Sequence, residues 1–284
     1  MNEAVSVLVT GSSGNVGAPL VAALAGTEAR VVATRVRGGP DPGGIETKRL
    51  DFEDADSFAP ALDGISRVFL MRPPQISDTK RFIRPFIEAM SAAGVEHVVF
   101  LSLMGVNRAM PHWRVEQDLR ASTLSWTFLR PSFFAQNLGA AYRNDIRDHD
   151  RIRLASGHGR TSFIDTNDIA EAAANILVAP ERHRGTAYTL TGPEALDYHQ
   201  VASLLSATLG RRITYQPIGF RRYRRELQAQ GLPGAYVNVQ LLINVVTRLG
   251  FAGRVDDALP RLLGRAAGPL EAYIAANRTL WLAE

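Results

Sequence analysis

Cysteine is absent from the 284 residues of this chain, and histidine occurs only six times. Without thiols there can be no disulfide, no thiolate metal site and no cysteine nucleophile. The histidines form no His-x-x-x-His or His-Glu-x-x-His pair, so the sequence predicts no metal site. The lack of cysteine fits a reducing compartment, and we expect a cytoplasmic protein.

Long apolar runs are also missing, as is a strong excess of charge of one sign. No stretch is long enough to span a bilayer, and residues 1–4 lack the features of a signal peptide. The formal net charge is only +4, and the arginine cluster at 221–225 is typical of a solvated helix face. We therefore expect neither a membrane nor a nucleic acid as partner.

Two common catalytic motifs are absent as well. The chain has no Gly-x-Ser-x-Gly elbow, which counts against an α/β-hydrolase. No Gly-Lys-Ser/Thr follows its glycine-rich loop, which counts against a P-loop nucleotidase. The hydrophobic content of 46% is ordinary for a globular protein. Such a chain can form a nucleotide-binding domain with a smaller lobe.

The most informative feature present is a glycine-rich turn after the apolar run at 5–10. A strand, a glycine turn and a helix in this order form a βα unit that binds nucleotides. Gly11 permits the tight turn, Gly14 lets the backbone approach a pyrophosphate, and Gly17 lets the helix pack closely on its strand. The amides at the helix start face the phosphates. The predicted cofactor-binding residues here are Gly11, Ser12, Ser13, Gly14, Asn15, Val16 and Gly17.

Apolar runs and helical patterns alternate along the first half of the chain. Strands are predicted at 5–10, 30–34, 67–71, 97–102 and 126–130, with helices at 16–25, 57–62, 80–93 and 112–121. This alternation predicts an α/β fold with a Rossmann-type, doubly wound parallel sheet. Later elements are a helix at 133–142, strands at 151–155, 160–164, 188–190 and 213–217, and helices at 166–177 and 198–209.

The same pattern predicts the division into domains. Residues 1–150 form a Rossmann domain that binds NADP(H), and segments from about 151–192 complete its sheet. Residues 193–284 form a small, mostly helical C-terminal lobe that caps the substrate.

The end of the second strand distinguishes the two nicotinamide dinucleotides. An acidic residue there binds the ribose 2′-hydroxyl of NAD, whereas an arginine accommodates the 2′-phosphate of NADP. This strand ends in Arg35-Val36-Arg37, and the first carboxylate after it is Asp41. We therefore predict a preference for NADP(H) over NAD(H), with Arg35 as the leading phosphate ligand and Arg37 as the second. The alternative is that these are solvated arginines.

Further cofactor contacts are predicted where other strands end. Asp51 and Phe52 follow an apolar-ended run from which the chain can reach the adenine, although Asp51 could instead cap the following helix. Ligands of open α/β sheets bind at the carboxyl edge of the strands. The predicted neighbours of the ribose and nicotinamide at that edge are Met71, Arg72, Pro73, Ser102 and Pro131.

Several stretches together resemble the NmrA-like branch of the atypical short-chain dehydrogenases. They include the glycine turn, Asp51-Phe52, residues 67–74, 97–103 and 126–131 with Phe134 and Asn137, Phe163-Ile-Asp-Thr-Asn-Asp-Ile-Ala170, Tyr188-Thr-Leu-Thr-Gly-Pro-Glu194, and Leu204-Leu-Ser-Ala-Thr-Leu-Gly210. The resemblance implies an NADP(H)-binding Rossmann domain and relatives among NAD(P)H:quinone oxidoreductases and triphenylmethane-dye reductases. Iminium-reducing alkaloid enzymes are more distant, and the branch also contains non-enzymatic sensors that regulate transcription.

Ordinary short-chain dehydrogenases use a Tyr-x-x-x-Lys pair, which this chain lacks in the expected place. The helix after the fourth strand carries His112 and Glu116 instead, four residues apart on one helix face. A neighbouring carboxylate favours the imidazolium form. His112 is therefore a candidate proton donor and Glu116 its candidate partner; the alternative is a histidine with a purely structural role.

A protein acid is not essential if the acceptor takes hydride readily. We expect a quinone, dye or iminium to stack on the nicotinamide. The predicted substrate contacts are Met104, Trp113, Phe133, Phe134, Asn137, Phe163 and Tyr236. The sequence thus predicts an NADPH-dependent reductase of a small-molecule hydride acceptor. The alternatives are a non-catalytic NADP(H) sensor and a specialised biosynthetic reductase or isomerase. The oligomeric state stays open between monomer and homodimer.

Overall fold

The computed structural model describes residues 5–37 and 44–282. The N-terminal residues 1–4 and Asp41, both used in the sequence analysis, lie outside this range. The chain divides into two compact units. The first unit comprises Met1–Pro131, Thr166–Leu190 and Ala258–Arg265, and the second comprises Ser132–Asp165, Thr191–Asp257 and Ala266–Glu284. The chain thus alternates between the units more often than the sequence predicted, because Ser132–Asp165 packs with later segments.

The strands of the described residues are β1 (Ser6–Val9), β2 (Arg30–Arg35), β3 (Glu46–Arg49), β4 (Arg67–Met71), β5 (His97–Leu101), β6 (Ser125–Pro131), β7 (Arg151–Leu154), β8 (Arg160–Thr161), β9 (Thr186–Leu190), β10 (Leu196–Asp197) and β11 (Thr214–Pro217). The α-helices are α1 (Gly17–Ala25), α2 (Phe58–Leu62), α3 (Thr79–Phe82), α4 (Arg84–Ala92), α5 (Pro111–Ala121), α6 (Arg143–His149), α7 (Thr166–Val178), α8 (Tyr198–Leu209), α9 (Phe220–Ala229), α10 (Gly234–Arg248), α11 (Ala258–Leu263) and α12 (Leu270–Ala276). Short 3₁₀ turns occupy Ala55–Ser57, Ala135–Leu138, Pro180–Arg182 and Arg278–Trp281.

The first unit contains a seven-stranded sheet in the order β3-β2-β1-β4-β5-β6-β9. Each neighbouring pair of strands in it is parallel. This confirms the predicted Rossmann-type, doubly wound sheet, in which right-handed crossovers join parallel strands.

The core of the first unit follows from the alternation of side chains along the central strands. Val68 and Leu70 of β4 face one side of the sheet, where they join an apolar cluster with residues of α2, α4 and α5. On α7, Ala172 and Ile176 are fully buried, and this helix packs against α1 and α11. Because both faces of the central strands are covered, these strands are apolar throughout.

The edge strand β3 was not predicted. Its sequence, Glu-Thr-Lys-Arg, is half-buried or exposed and has no apolar alternation. Its pairing with β2 is what makes it a strand, and such non-local pairing leaves little trace in the sequence.

Two predicted helices differ from those observed. The helix predicted at 80–93 is divided at Ile83 into α3 and α4, with Pro85 in the first turn of α4. The helix predicted at 133–142 is wrong: that stretch contains only the 3₁₀ turn Ala135–Leu138. Backbone pairing explains the second difference, since Ala135 N–H donates to the carbonyl of Ile164 at 2.8 Å.

The second unit has its own apolar core. β7 pairs in parallel with β11, and β8 pairs in antiparallel fashion with β10. The largest buried side chains of this core are Trp281 and Tyr198. The Trp281 indole N–H donates to the carbonyl of Leu138 at 3.1 Å, which satisfies its polar atom inside the core.

A histidine is buried at the start of β5. His97 has 0% exposure, and its ring nitrogens lie 3.0 Å from the hydroxyls of Ser125 and Thr127. Burial, assisted by nearby arginines, lowers the pKa of His97 to about 4. The neutral ring is therefore part of the folded structure.

We expect acidification to destabilise the protein through His97. Its unfolded-state pKa of about 6.5 lies above the folded value, so the unfolded chain takes up the proton first. Stability is then complete above pH 6.5 and is lost as the pH falls towards 4. His97→Asn should reduce the loss of unfolding free energy between pH 7 and pH 5 by about 2 kcal/mol in urea titrations.

The matched control is His149→Asn, because His149 is exposed at the end of α6. Its stability loss between the two pH values should equal that of the unmodified protein. An unchanged loss in His97→Asn would contradict the prediction.

Candidate functional site

The predicted cofactor residues of the first unit meet at the carboxyl edge of its sheet. The strand order reverses between β1 and β4, and such a switch point opens the crevice in which α/β proteins bind ligands. The residues that the strands place at this edge are the loop 11–17 after β1, Arg35 of β2, Met71 of β4, Ser102 after β5 and Pro131 of β6.

The loop between β1 and α1 requires glycine at two positions. Gly11 has a φ of +62°, and its carbonyl accepts a hydrogen bond from Gly14 N–H at 2.9 Å. A Cβ on Gly17 would overlap the carbonyl oxygen of Gly11 and lie 2.9 Å from Ser12 Cα. At Gly14 a Cβ would lie 3.3 Å from that oxygen, which is a tight contact but a much smaller conflict than the one at Gly17.

Side chains fix this loop between the two neighbouring strands. The Ser12 hydroxyl donates to the carbonyl of Thr34 in β2 at 2.9 Å. The Thr10 hydroxyl donates to the carbonyl of Phe69 in β4 at 3.0 Å and accepts from Met71 N–H at 2.7 Å. The loop is thus held in place before any ligand binds.

Helix α1 receives no side-chain cap from its N-cap residue, although Ala18 N–H donates to the carbonyl of Gly14 at 3.0 Å. Val16 occupies the N-cap position and provides no side-chain hydrogen bond, and the first turn contains no acidic residue. The amides at a helix start attract anions, and a phosphate fits that position. The glycine cradle and the uncapped helix therefore fit the pyrophosphate of a dinucleotide.

The end of β2 brings arginines together. Arg35 is half-buried and Arg37 is exposed. The register of β2 and β3 pairs Arg35 with Arg49, which the sequence analysis did not single out. Paired residues of parallel strands project to the same face. Arg49 forms an ion pair with Asp54 at 2.6 Å, which balances its charge, so the positive charge at this edge comes mainly from β2.

The predicted adenine contacts lie just beyond β3. Asp51 Oδ1 accepts from Glu53 N–H at 3.0 Å. The capping alternative for Asp51 is wrong, because Asp54 is the N-cap residue of the following 3₁₀ turn and accepts from Asp56 N–H. Phe52 is buried, with its ring edge-to-face on Phe86 at 5.3 Å. The adenine role of these residues stays a prediction.

Arg72 follows β4 and folds back on its own loop. Its Nη1 donates to the carbonyls of Pro73 at 2.8 Å and Ile76 at 2.5 Å. Burial lowers the pKa of Arg72. This guanidinium therefore shapes the loop that contains Pro73, and it places positive charge beside His112.

Glu116 has a different environment from the one predicted. It is 1% exposed, and its carboxylate accepts two hydrogen bonds from Arg130, at 2.9 and 2.5 Å. The buried hydroxyl of Ser102 donates to the same carboxylate at 2.7 Å. This cluster of Ser102, Glu116 and Arg130 ties α5 to the ends of β5 and β6. The sequence did not indicate Arg130, because its pairing with Glu116 depends on how α5 packs beside β6 and not on a spacing along the chain.

The expected imidazolium form of His112 is not supported. Burial and the charge of Arg72 lower the pKa of His112 to about 3. The carboxylate of Glu116 is committed to Arg130 and Ser102 and does not stabilise a proton on the imidazole. His112, whose ring centroid lies 6.2 Å from that of Phe100, is therefore neutral near pH 7. A neutral imidazole can still donate one hydrogen bond and accept another.

The two predicted substrate contacts of the first unit are both half-buried. Met104 N–H donates to the carbonyl of Pro131 at 2.9 Å, which holds the turn after β5 against β6. Trp113 lies in the first turn of α5, with the Arg108 guanidinium 5.9 Å from its ring centroid.

The predicted aromatic contacts of the second unit have different environments. Phe163 is 2% exposed, and Phe133 packs edge-to-face on it at 5.7 Å. Phe134 is half-buried and pairs with the backbone of Ile164. Tyr236 is 39% exposed. Asn137 is half-buried, and its carbonyl accepts from Tyr142 N–H at 3.2 Å.

The structure bears on metal binding and membrane insertion, two properties that the sequence did not predict. Within residues 5–37 and 44–282, no group of three or more histidine, aspartate or glutamate side chains could hold a metal ion. Across the same ranges, no helix is long and apolar enough to cross a membrane.

Comparison with known proteins gives a consistent picture. A family model described as the NmrA-like family matches residues 3–244. The oxidoreductase YesF of Bacillus subtilis is 31% identical over 277 residues, which cover 97% of this chain and 96% of YesF. The NAD(P)H azoreductase of Xenophilus azovorans is 29% identical over 283 residues, or 95% and 97% of the two chains.

A solved structure extends the comparison to the fold. The NADPH-dependent quinone oxidoreductase QOR2 of Escherichia coli, complexed with NADPH, matches with a TM-score of 0.84 at 24% identity. The match covers 96% of this chain and 99% of that one. It confirms the Rossmann-type fold, and the family model confirms the resemblance that the sequence motifs indicated.

Proposed function

We propose that this chain, which belongs to the NmrA-like family, is an NADPH-dependent reductase of electron-poor, planar small molecules. Its relatives include NAD(P)H-dependent oxidoreductases. The acceptor class we favour comprises quinones, azo or triarylmethane dyes and cyclic iminium ions. At about 30% identity the substrate of a relative does not transfer to this chain, so the acceptor is proposed on chemical grounds.

The loop between β1 and α1 is the observation that carries the proposal. Its amides, left without a side-chain cap at Val16, would hold the pyrophosphate, and Arg35 would bind the 2′-phosphate. The polar links from Ser12 and Thr10 to the flanking strands fix the loop beforehand. Preorganisation of this kind lowers the entropic cost of binding.

The proposed chemistry makes few demands on side chains of this protein. Bound NADPH supplies the hydride. Reduction of a quinone gives a stabilised hydroquinone anion, and reduction of a cationic dye gives a neutral molecule, so neither product requires a protein acid. His112, neutral near pH 7, would donate a hydrogen bond to an acceptor oxygen and would leave protonation to solvent. Glu116 acts as a positioning residue that holds Ser102 and Arg130.

The acceptor contacts remain part of the proposal. Phe134, Asn137 and Tyr236 keep their proposed role, as do Met104 and Trp113. Phe163 and Phe133 would act mainly by supporting the packing of the second unit, because their rings join its apolar core.

The test is NADPH oxidation by the purified protein against quinones, triarylmethane dyes and cyclic iminium ions, with NADH in parallel. We expect turnover that is faster with NADPH, and the best acceptor class would identify the pocket chemistry. Tight NADPH binding without turnover of any acceptor would overturn the reductase proposal in favour of a non-catalytic sensor.

The preference for NADPH provides a separate prediction. Arg35→Asp should weaken NADPH binding about 100-fold, because it removes a charge-assisted hydrogen bond and places a carboxylate near a phosphate. The affinity for NADH should change less than about threefold. Titration of the cofactor's fluorescence measures both affinities.

The matched control is Arg30→Asp, the same change at the opposite end of β2, where Arg30 pairs with Glu46 on the surface. This control should leave both affinities unchanged. Equal losses for NADPH and NADH in Arg35→Asp would contradict the assignment.

A further inference from the structure

A small polar cavity lies entirely within the second unit. Its volume is about 50 Å³, and it is lined by residues of α6, β7, α9 and α10 and by the turn that precedes α6. The side chains that matter for its chemistry are Tyr142, Arg153, Tyr223, Glu226, Tyr236 and Gln240.

Three polar atoms of this lining are buried without a hydrogen-bond partner among the described residues. They are Arg153 Nε, Gln240 Oε1 and Tyr142 Oη, the last of which interacts with the Tyr198 hydroxyl but forms no well-aligned hydrogen bond with it. Tyr142 is 7% exposed, Gln240 is 8% exposed and the side chain of Arg153 is 13% exposed, so all three lie in the interior of the unit. An unmatched buried polar group costs about 1–3 kcal/mol. Three such atoms around one cavity indicate a guest that supplies the missing partners.

The unmatched atoms define the hydrogen bonds that the guest must make. Arg153 Nε can only donate, whereas Tyr142 Oη can donate and accept. Gln240 Nε2 donates to Tyr236 Oη at 2.9 Å, and its Oε1 is left as an acceptor. Turning the amide by 180° would exchange the two atoms and would still leave one of them unmatched. With the amide oriented as observed, the guest must offer an acceptor to Arg153 Nε and a donor to Gln240 Oε1.

Charge in the cavity is already balanced. Glu226 accepts from Arg153 Nη2 at 2.5 Å and from Arg222 Nε at 3.0 Å. Asp145 pairs with Arg151 at 3.2 Å. Burial raises the pKa of Tyr142, which stays a neutral phenol. An ion would have to be desolvated without a counter-charge, so a neutral guest is favoured.

The size of the cavity limits the guest. Since one water needs about 10–15 Å³ of such volume, the space suits a group of about four non-hydrogen atoms. Tyr236 is 39% exposed and Gln230, another lining residue, is exposed. A longer molecule could therefore place its polar end inside and extend past these residues.

We propose that this cavity binds a neutral primary carboxamide, either as a small free amide or as the end of a larger molecule. The amide carbonyl accepts from Arg153 Nε–H, and the amide N–H donates to Gln240 Oε1. The Tyr142 phenol provides a third hydrogen-bonding group for the amide. The cavity uses none of the residues assigned to the dinucleotide, although Tyr236, one of the proposed acceptor contacts, also lines it.

The experiment uses the whole chain without cofactor and acetamide as the probe. Ligand-detected NMR titration should give saturable, millimolar binding. Acetone, which has the same shape but lacks the amide N–H, should bind at least about tenfold more weakly. 3-Phenylpropanamide distinguishes a free amide from the amide end of a larger molecule. If it binds more tightly than acetamide, the natural ligand is a larger molecule; if it binds no more tightly, the ligand is a small free amide.

Two variants test the residues. Gln240→Leu and Tyr142→Phe should each lower the acetamide affinity at least about tenfold. Gln228→Leu is the matched control, because Gln228 is exposed on α9 and does not line the cavity. Tyr142→Phe keeps the ring that stacks on Phe133, so this variant should fold. It therefore still tests the proposal if Gln240→Leu does not fold.

Retained acetamide affinity in Tyr142→Phe and in any folded Gln240→Leu would overturn the proposal. So would a crystal structure of acetamide-soaked protein that shows only ordered water in the cavity. NADPH binding is measured on the same samples. Loss of amide binding with NADPH binding intact, or the reverse, therefore separates failure of this inference from failure of the reductase proposal.

Discussion

Gly17→Ala should abolish measurable NADPH binding and destabilise the protein, whereas Gly14→Ala should weaken NADPH binding alone. A Cβ on Gly17 would overlap the carbonyl oxygen of Gly11, which belongs to the backbone and cannot rotate away. The loop or the start of α1 must then move, at a cost of about 3 kcal/mol. The amides that would hold the pyrophosphate move with it.

Gly14 differs because a methyl group there would lie 3.3 Å from the Gly11 carbonyl oxygen, a tight contact that a backbone shift of a few tenths of an ångström relieves. If the backbone at Gly14 approaches the pyrophosphate, the added methyl collides only with the bound dinucleotide. We expect NADPH affinity to fall at least about tenfold, with an unfolding free energy within about 1 kcal/mol of the unmodified value.

The measurement pairs urea unfolding with fluorescence titration of NADPH for the two variants. Each glycine serves as the control for the other. Full NADPH affinity in Gly17→Ala would remove the loop from the proposed site. Full affinity in Gly14→Ala would show that the pyrophosphate does not approach the loop at that position.

Glu116→Gln should lower the free energy of unfolding by about 3 kcal/mol, since loss of one partner leaves the other charge without compensation. Glu116 is 1% exposed, and the side chain of Arg130 is 28% exposed. The neutral amide can keep the hydrogen bond from Ser102 but cannot balance the guanidinium. Urea unfolding at pH 7 measures the loss.

Two controls separate the buried pair from ordinary surface charge. Asp118 lies on α5 like Glu116 and pairs with Arg84, whose side chain is 43% exposed. Asp118→Asn removes this exposed pair and should lower the free energy of unfolding by less than about 1 kcal/mol. Replacing both Glu116 and Arg130 with leucine should restore most of the stability lost in Glu116→Gln. A loss in Glu116→Gln no larger than that of Asp118→Asn would contradict the prediction.

The Glu116 variants also bear on catalysis. A positioning role predicts that Glu116→Gln shifts the ends of β5 and β6 and raises the KM for NADPH. If Glu116 were a proton donor, kcat would fall with KM unchanged. Comparison of these two constants distinguishes the roles once turnover is established.

Local and periodic features of the fold were predictable from the sequence. The central strands are apolar because both faces of the sheet are covered, and the helices between them follow their own repeat. The glycine turn after β1 was predictable because its conformation depends on residues adjacent in the chain. The observed positive φ of Gly11 has the same local origin.

Features that depend on distant segments were not predictable. The polar strand β3 exists through pairing with β2, and residues 133–142 pair with the backbone near Ile164 instead of forming a helix. The Glu116–Arg130 ion pair joins a helix to a neighbouring strand. The protonation of His112 was not predictable either. Its helix spacing from Glu116 suggested a protonated imidazole, but burial and the charge of Arg72 lower the pKa of His112, so the ring is neutral.

The sequence by itself determined the fold class, the family and the position of the glycine turn between β1 and α1, because these depend on periodicity and on residues close together in the chain. Only the tertiary structure decided which charges pair, which histidine stays neutral and where polar atoms are left unmatched, as at Gln240. These properties depend on desolvation and on contacts between segments far apart in the chain.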